Sequence, residues 1–198
     1  EAISTKLFFY KRDKSVFNFF SKKPFSVVSR NNNELLQNLS NDNHPIFFEG
    51  LQSTSVLSKS CFKGRALYLR LHNLEDNYYK GLAKSETSFF KRIAYSLESK
   101  KYQLYKDIFK KFEKVFTLSN FETRFIEDNF GNAKYIPVFH GNQFIENLSE
   151  YGNYAFYNGD LRISDNRNAA LFLLDVFNEI KDNKLIIASS ISCSQIES

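Results

Sequence analysis

The sequence predicts an α/β fold, a mostly parallel sheet with flanking helices. Short apolar runs alternate along the chain with segments of helical periodicity, and several of these runs stop at polar residues that open the next helix. Strands that are separated by helices pair in parallel through right-handed crossovers. The length of 198 residues suits one large domain, or one domain and part of a second.

The apolar runs give the expected strands in chain order. They cover residues 6–10, 46–48, 65–71, 115–118, 135–139, 154–158 and 184–188. Pro137 interrupts the fifth run, which favours an edge or crossing segment because proline donates no ladder hydrogen bond.

Helices are expected between these runs. Helical patterns begin near Asn31 and cover residues 54–60, 77–114, 120–129 and 166–180, with a further start at Ser192. A helix of about 38 residues is unusual in a compact domain, so a break is expected within 77–114. Its apolar stripe, the expected buried face, comprises Phe90, Ile93, Leu97, Leu104, Ile108, Phe112 and Val115. Ser119 and Glu122 have capping-box spacing, and Gly131 follows the expected end of that helix.

Composition excludes several protein classes. Hydrophobic residues make up 42% of the chain, which is too many for disorder, and 7 glycines with 3 prolines exclude a linker or collagen. No apolar run reaches the ~20 residues of a membrane span. Cys61 and Cys193 are interpreted as inert thiols of a reducing compartment, so a cytoplasmic location is expected. The absence of methionine indicates a fragment, a processed chain, or a sequence from which modified methionines are missing.

The net charge of +5 is unevenly distributed. Residues 1–30 carry +5, residues 80–114 carry +6, and the remainder carries −6. Such segments are either solvated, lysine-rich faces or contacts with an anion, such as a membrane surface or a phosphate-bearing substrate. Only net charge favours a nucleic-acid-associated domain, because no nucleic-acid motif is present.

Candidate site residues are those at which the apolar runs stop, since ligands of open parallel sheets bind beyond the carboxyl ends of the strands. They are Glu49, Gly50, His72, Glu75, Ser119, His140, Gly159 and Asp160. Ser119 also places a helix amino terminus, which favours phosphate or carboxylate, beside a strand end. No dinucleotide fingerprint, P-loop, zinc spacing or nucleophile elbow is present.

Four of the candidates also have a purely structural interpretation. Glu49 would interact with a helix amino terminus, His72 would be a satisfied core histidine, His140 would close a loop, and Gly159 would be a turn residue.

Two sets of residues at these positions resemble a known enzyme group. The first comprises Pro45 to Leu51, Arg70 to Glu75, Tyr78-Tyr79, Leu82 to Glu86, and Phe116 to Ser119. The second comprises Tyr154 to Leu161 with Asn166, Asn168 to Ala170, and Val176-Phe177. This collinear set is similar to bacterial family-4-like retaining glycosyltransferases of the GT-B fold, often labelled mannosyltransferases. The family often has histidine after Glu-Gly-Leu, where this sequence has Gln52.

The resemblance implies two Rossmann-like domains. An acceptor domain would cover residues 1–140, a linker 141–152, and the start of the donor domain 153–198. The family's first strand–loop–helix unit would precede Glu1, and its nucleotide-sugar pocket with the paired-glutamate motif would follow Ser198.

The implied reaction moves a hexose, mannose among the candidates, from a nucleotide sugar to a glycan or lipid-linked acceptor in cell-surface polysaccharide synthesis, with neither a metal nor another cofactor. His72 would orient the sugar or its phosphate, Glu75 would fix the imidazole or contact the acceptor, and Glu49 would bind the acceptor. Amides at Gly159 and Asp160, a helix amino terminus or a cationic side chain would stabilise the diphosphate. Segments 1–30 and 80–114 would contact the anionic inner face of the membrane, and no nucleic-acid partner is expected. The alternative is a non-catalytic module that binds a sugar nucleotide or a phospho-ligand.

Overall fold

The computed structural model describes residues 5–58, 62–139, 141, 152–180, 183–192 and 196. The chain divides into two units. The first comprises Glu1–Tyr78 and Leu97–Val138, and the second comprises Tyr79–Ser96 and Phe139–Ser198. The predicted linker 141–152 lies almost wholly outside the described residues, so the predicted domain boundaries stay a prediction.

The first unit is built on a four-stranded parallel sheet. Its strands, in spatial as well as chain order, are β1 (Ile46–Glu49), β2 (Leu67–Leu71), β3 (Lys114–Thr117) and β4 (Ala133–Tyr135). Ile46 pairs with Leu67, Leu69 with Val115, and Val115 with Ala133. This arrangement confirms the predicted α/β fold with a parallel, Rossmann-like sheet.

Helices precede and connect these strands. The α-helices are α1 (Phe25–Val28), α2 (Asn33–Ser40), α3 (Glu75–Ser85), α4 (Phe89–Tyr105) and α5 (Asn120–Phe130), and the 3-10 helices are Val16–Phe20, Leu51–Ser58 and Lys106–Lys111. The break expected within residues 77–114 is confirmed, since α3 ends at Ser85 and α4 begins at Phe89.

The second unit contains a parallel pair of strands, the helix between them, and the parts of α3 and α4 that lie within Tyr79–Ser96. Strand β5 (Tyr154–Asn158) pairs with β6 (Lys184–Ala188), and α6 (Ser164–Glu179) connects them. Both strands have the predicted bounds. The helix start expected at Ser192 falls largely on residues outside the described ranges.

One face of the four-stranded sheet carries the core of the first unit. Leu69, Leu71 and Val115 are fully buried on that face, whereas Phe47 of β1 is 54% exposed on the other. Alternate strand residues point to opposite faces, so strict alternation of burial follows from the pleat. The Phe47 and Phe116 rings stack on the outer face, with centroids 5.9 Å apart.

Two predicted strands and one predicted helix differ from the structure. Residues 6–10 join no sheet, and the Tyr10 hydroxyl instead accepts a hydrogen bond from Asn38 Nδ2 at 2.7 Å. The run at 135–139 contributes only Tyr135 to β4, because Pro137 cannot donate to the ladder. The predicted helix at 54–60 is the 3-10 helix Leu51–Ser58.

The predicted apolar stripe is wrong within α4 but confirmed beyond it, where Ile108, Phe112 and Val115 are buried. Phe90, Leu97 and Leu104 are 82%, 52% and 80% exposed, whereas Glu98 and Tyr102 are buried. Glu98 Oε2 accepts a hydrogen bond from the Phe25 amide at 2.8 Å, and the Tyr102 hydroxyl bonds to Ser26. Polar contacts with α1 therefore lie on the buried side of α4, and hydrophobic periodicity carries no signal for them.

Candidate functional site

Glu49 and His72 form a hydrogen-bonded pair at the carboxyl ends of β1 and β2. Glu49 is the last residue of β1 and lies in register with Arg70 of β2. His72, the residue that follows β2, therefore lies beside Glu49. His72 Nε2 lies 2.6 Å from Glu49 Oε1, and the two side chains are 45% and 51% exposed. Because a carboxylate oxygen only accepts, Nε2 carries the proton in this contact. Solvent or a ligand can reach both partners.

Gly50 allows this pair to form in a confined space. Its φ is +78°, a conformation that side-chain-bearing residues rarely adopt. A Cβ at this position would lie 2.6 Å from Gln52 Oε1 and 3.6 Å from His72 Cδ2. The Gly50 amide donates to the Arg70 carbonyl at 2.9 Å, which extends the β1–β2 pairing into the site. Glycine here lets the chain turn directly beside the imidazole.

Glu75 lies buried at the first residue of α3. Gln52 Nε2 donates a hydrogen bond to its Oε1 at 2.5 Å. Burial raises the pKa of the Glu75 carboxyl, and the Gln52 hydrogen bond with the charges of His72 and Arg30 opposes that rise. The imidazole of His72 is held by Glu49. Of the two roles expected of Glu75, fixing the imidazole therefore falls to Glu49, and contact with the acceptor stays a prediction.

Two further residues belong to this cluster. Arg70 Nη1 lies 3.5 Å from Glu49 Oε1, and Arg70 Nε is buried with no hydrogen-bond partner among the described residues. Glu49 therefore faces a guanidinium as well as an imidazole. Sequence reasoning did not select Arg70, although the pleat predicts that a residue in register with Glu49 shares its face of the sheet. Gln52 was considered only as a departure from a family pattern, and the structure gives it the contact with Glu75.

Ser119 follows β3, as predicted, and caps α5. Its Oγ accepts a hydrogen bond from the Glu122 amide at 3.2 Å and donates to Glu122 Oε2 at 2.9 Å. The hydroxyl half of the capping box is therefore confirmed, whereas the Glu122 carboxylate accepts from the Ser119 hydroxyl and not from a backbone amide. Glu122 is a buried residue of the first turn, where the helix dipole favours a carboxylate.

Gly159 and Asp160 follow β5 in the second unit. The Gly159 amide donates to the Ala188 carbonyl at 3.1 Å, so this N–H continues the strand ladder instead of remaining available for a diphosphate, as was expected. Arg162 donates to both Asp160 carboxylate oxygens, through Nε at 2.9 Å and Nη2 at 2.7 Å. These hydrogen bonds lower the pKa of Asp160. The negative charge of the Asp160 carboxylate is thus paired with the Arg162 guanidinium.

His140 lies outside the described residues, as do Cys61 and Cys193. Within the described ranges, no group of three or more His, Cys, Asp and Glu side chains is placed to hold a metal ion. No helix of the described part of the chain combines the length and apolar composition required to cross a bilayer.

The cluster at the ends of β1 and β2 is suited to binding a polar ligand and moving a proton. A neutral imidazole that donates from Nε2 to a carboxylate presents Nδ1 as an acceptor. Glu49 balances the charge of a protonated ring and of Arg70. Burial also raises the pKa of the Glu75 carboxyl, so this group holds its proton more tightly than an exposed glutamate does.

Comparisons with known proteins give one related sequence. No protein-family model matches the chain, and no solved structure matches it significantly. The chain is similar to a protein of Klebsiella pneumoniae named "Uncharacterized 44.6 kDa protein in cps region", with 29% identity over 142 residues. The matched segment covers 69% of this chain and 36% of that protein. The chain therefore spans little more than a third of the length of this relative.

Proposed function

We propose that the chain is part of a retaining glycosyltransferase that moves a hexose from a nucleotide sugar to a hydroxyl of a glycan or lipid-linked acceptor. The observation that carries this proposal is the Glu49–His72 pair at the carboxyl ends of two parallel strands. The similarity to a protein named for a cps region supports it, since cps regions are gene regions for capsular polysaccharide. Building such a polysaccharide requires repeated sugar transfer.

The chemistry assigns a role to each residue of the pair. His72 would donate to or accept from the sugar or its phosphate, and Glu49 would hold the imidazole in one tautomer. Departure of the nucleotide diphosphate leaves negative charge, which Arg70 and a protonated His72 would stabilise. In the retaining scheme the acceptor attacks from the face that the diphosphate leaves, so a carboxylate nucleophile is not required. Mannose nucleotides are the first donors to test.

The test compares the activity of His72→Ala with that of a control variant in which another histidine is replaced. His72→Ala should lower kcat of sugar transfer by about 10²-fold or more, the size of a lost acid–base or electrostatic contact. The melting temperature should stay within about 2 °C, because a half-exposed side chain contributes little to packing. His44→Ala is the control, since His44 is exposed and precedes β1 at the opposite end of that strand.

Two results would contradict the proposal. Full activity of His72→Ala would remove His72 from the site. Nucleotide-sugar binding that His72→Ala abolishes, without turnover by the unmodified protein on any acceptor, would favour the non-catalytic binding module.

A further inference from the structure

A pocket of about 330 Å³ lies in the first unit at the amino end of β2. Three buried apolar side chains form part of its wall, namely Leu57, Phe62 and Leu67. Its volume is at the lower end of the range for small-molecule sites, which are concave and mostly apolar. Leu67 begins β2, whereas His72 follows its end, so this pocket is separate from the Glu49–His72 pair.

Arg65 forms a fixed part of the pocket wall, because its guanidinium is bound on several sides. Nη2 lies 2.6 Å from Asp42 Oδ1, and Nε donates to the His44 carbonyl at 2.5 Å. Nη1 donates to the Leu39 carbonyl. The guanidinium carbon lies 6.0 Å from the centre of the Phe62 ring. The charge of Arg65 is therefore already paired, and its contacts hold the residues before β2 in place.

Lysine side chains without a carboxylate partner lie at this pocket. Lys63 and Lys111 line it, and Lys111 Nζ donates to the Leu57 carbonyl, a neutral acceptor, at 2.6 Å. Burial and the charge of Lys111 lower the pKa of Lys23, so these two ammonium groups are near each other. Within the described ranges, none of the three lysines forms an ion pair. An anion between Lys23 and Lys111 would relieve their repulsion.

We propose that this pocket binds a small phosphate monoester that carries an apolar ring, with the ring against the apolar wall and the phosphate between Lys111 and Lys23. A phosphate monoester has nearly two negative charges at pH 7 and three acceptor oxygens, which match two ammonium groups. The apolar wall favours a ring over a sugar, whose hydroxyls would lose their hydrogen bonds to water there. The inference is independent of the proposed sugar transfer, because it uses no residue of the Glu49–His72 site.

Calorimetric titration of the chain tests both halves of this recognition. The ligands are 1-naphthyl phosphate, the neutral 1-naphthol, inorganic phosphate, and 1-naphthoate with its single charge. 1-Naphthyl phosphate should bind about tenfold more tightly than each of the other three, since each of them lacks the ring, the charge or part of the charge. A tenfold change corresponds to about one charge-assisted hydrogen bond.

Two double variants test the lysine pair. Lys23→Gln with Lys111→Gln should weaken the binding of 1-naphthyl phosphate by about tenfold or more. Glutamine can still donate to the Leu57 carbonyl, and an unchanged melting temperature verifies the fold. The matched control is Lys22→Gln with Lys110→Gln, two exposed side chains that each precede one member of the pair in the chain. The control lowers the net charge equally but should change the dissociation constant by less than about twofold, because charges at the surface are screened.

Nuclear Overhauser effects locate the ring in the unmodified chain, so this readout does not depend on any variant. With methyl-labelled leucine, the naphthyl protons of bound 1-naphthyl phosphate should show contacts to the methyl groups of Leu57 and Leu67. Leu71, at the other end of β2, is the internal control and should show none.

Several results would overturn the proposal. Absent binding of 1-naphthyl phosphate would remove the site, and equally tight binding of 1-naphthol or inorganic phosphate would show that one half of the recognition is not used. Equally tight binding of 1-naphthoate would exclude a preference for phosphate. An equal loss in the Lys22 and Lys110 control, or naphthyl contacts to Leu71 in place of Leu57 and Leu67, would place the ligand elsewhere.

Discussion

Gly50 and the register of β1 with β2 together determine the geometry of the Glu49–His72 pair. The glycine, at φ +78°, allows the chain to leave β1 beside the imidazole, and the pairing of Glu49 with Arg70 brings β2 alongside. His72 therefore lies 2.6 Å from Glu49 although the two are 23 positions apart in the sequence. Glu49, Gly50 and His72 were predicted from the ends of apolar runs. The choice of Glu49 over Glu75 as the partner of the imidazole depends on side-chain direction, which those runs do not encode.

The buried carboxyl of Glu75 predicts a pH-dependent stability. Its pKa is raised above the ordinary 4.5 by burial, so the folded chain holds this proton more tightly than the unfolded chain. Its favourable contribution is fully present below the unfolded pKa and is lost as pH rises through the folded pKa. Glutamine cannot ionise, so Glu75→Gln removes this loss. The melting temperature of the variant minus that of the unmodified chain should therefore be larger at pH 7 than at pH 4.

Thermal unfolding of both proteins at the two pH values provides the measurement. A changed hydrogen bond to Gln52 shifts the melting temperature at both pH values. The change in the offset between pH 4 and pH 7 therefore reports the ionisation of Glu75 alone. An identical offset at pH 4 and pH 7 would show that the Glu75 proton plays no part.

At the scale of elements, local signals gave the boundaries of α5 correctly. Ser119 caps its amino terminus with Glu122, and Gly131 ends it at φ +70° while its amide donates to the Glu127 carbonyl at 2.9 Å. Each signal involves residues within one helical turn, so each can be recognised from the sequence alone. The buried side of α4 is different, because Glu98 and Tyr102 face residues 73 and 76 positions away.

Replacement of Gly131 and of Gly81 by alanine should change the free energy of unfolding in opposite directions. A Cβ at Gly131 would meet nothing within 4 Å, so Gly131→Ala should cost only the left-handed conformation, about 1–2 kcal/mol of unfolding free energy. Gly81 lies inside α3 with its nearest neighbour at 3.9 Å, so Gly81→Ala should gain about 0.5–1 kcal/mol.

Urea denaturation of both variants measures these changes. Two shifts of the same sign would contradict the conformational explanation. Gly131→Asn should recover part of the loss, because asparagine tolerates the left-handed region.

At the scale of the whole molecule, the two basic segments differ in how their charge is used. In segment 80–114, Lys101 pairs with Glu98, Lys106 with Asp76, and Lys110 with Asp107. Three of the ten basic side chains of that segment are therefore paired with carboxylates of the chain. Residues 11–23 carry five basic side chains against one acid, Asp13.

Lys106 should act as a structural residue. Its Nζ lies 2.6 Å from Asp76 Oδ2, where the two side chains are 21% and 12% exposed, and 4.5 Å from the centre of the Phe125 ring. Lys106→Glu places two carboxylates together and should lower the unfolding free energy by about 2 kcal/mol, between surface and buried pairs. Lys100→Glu, at an exposed position of the same segment, should stay within about 0.5 kcal/mol. Equal effects in urea titrations would contradict a structural role for Lys106.

The sequence by itself determined the α/β class, five of the strands, the break after α3 and the cap of α5. These features depend on the pleat, on helical periodicity and on contacts within a few residues, all of which leave a local pattern. Only the tertiary structure decided that Glu49 holds His72, that Gln52 holds Glu75, and that the Gly159 amide serves the β5–β6 ladder. Those contacts depend on strand register and on which face of an element is covered, and both arise from packing between segments that are far apart in the chain.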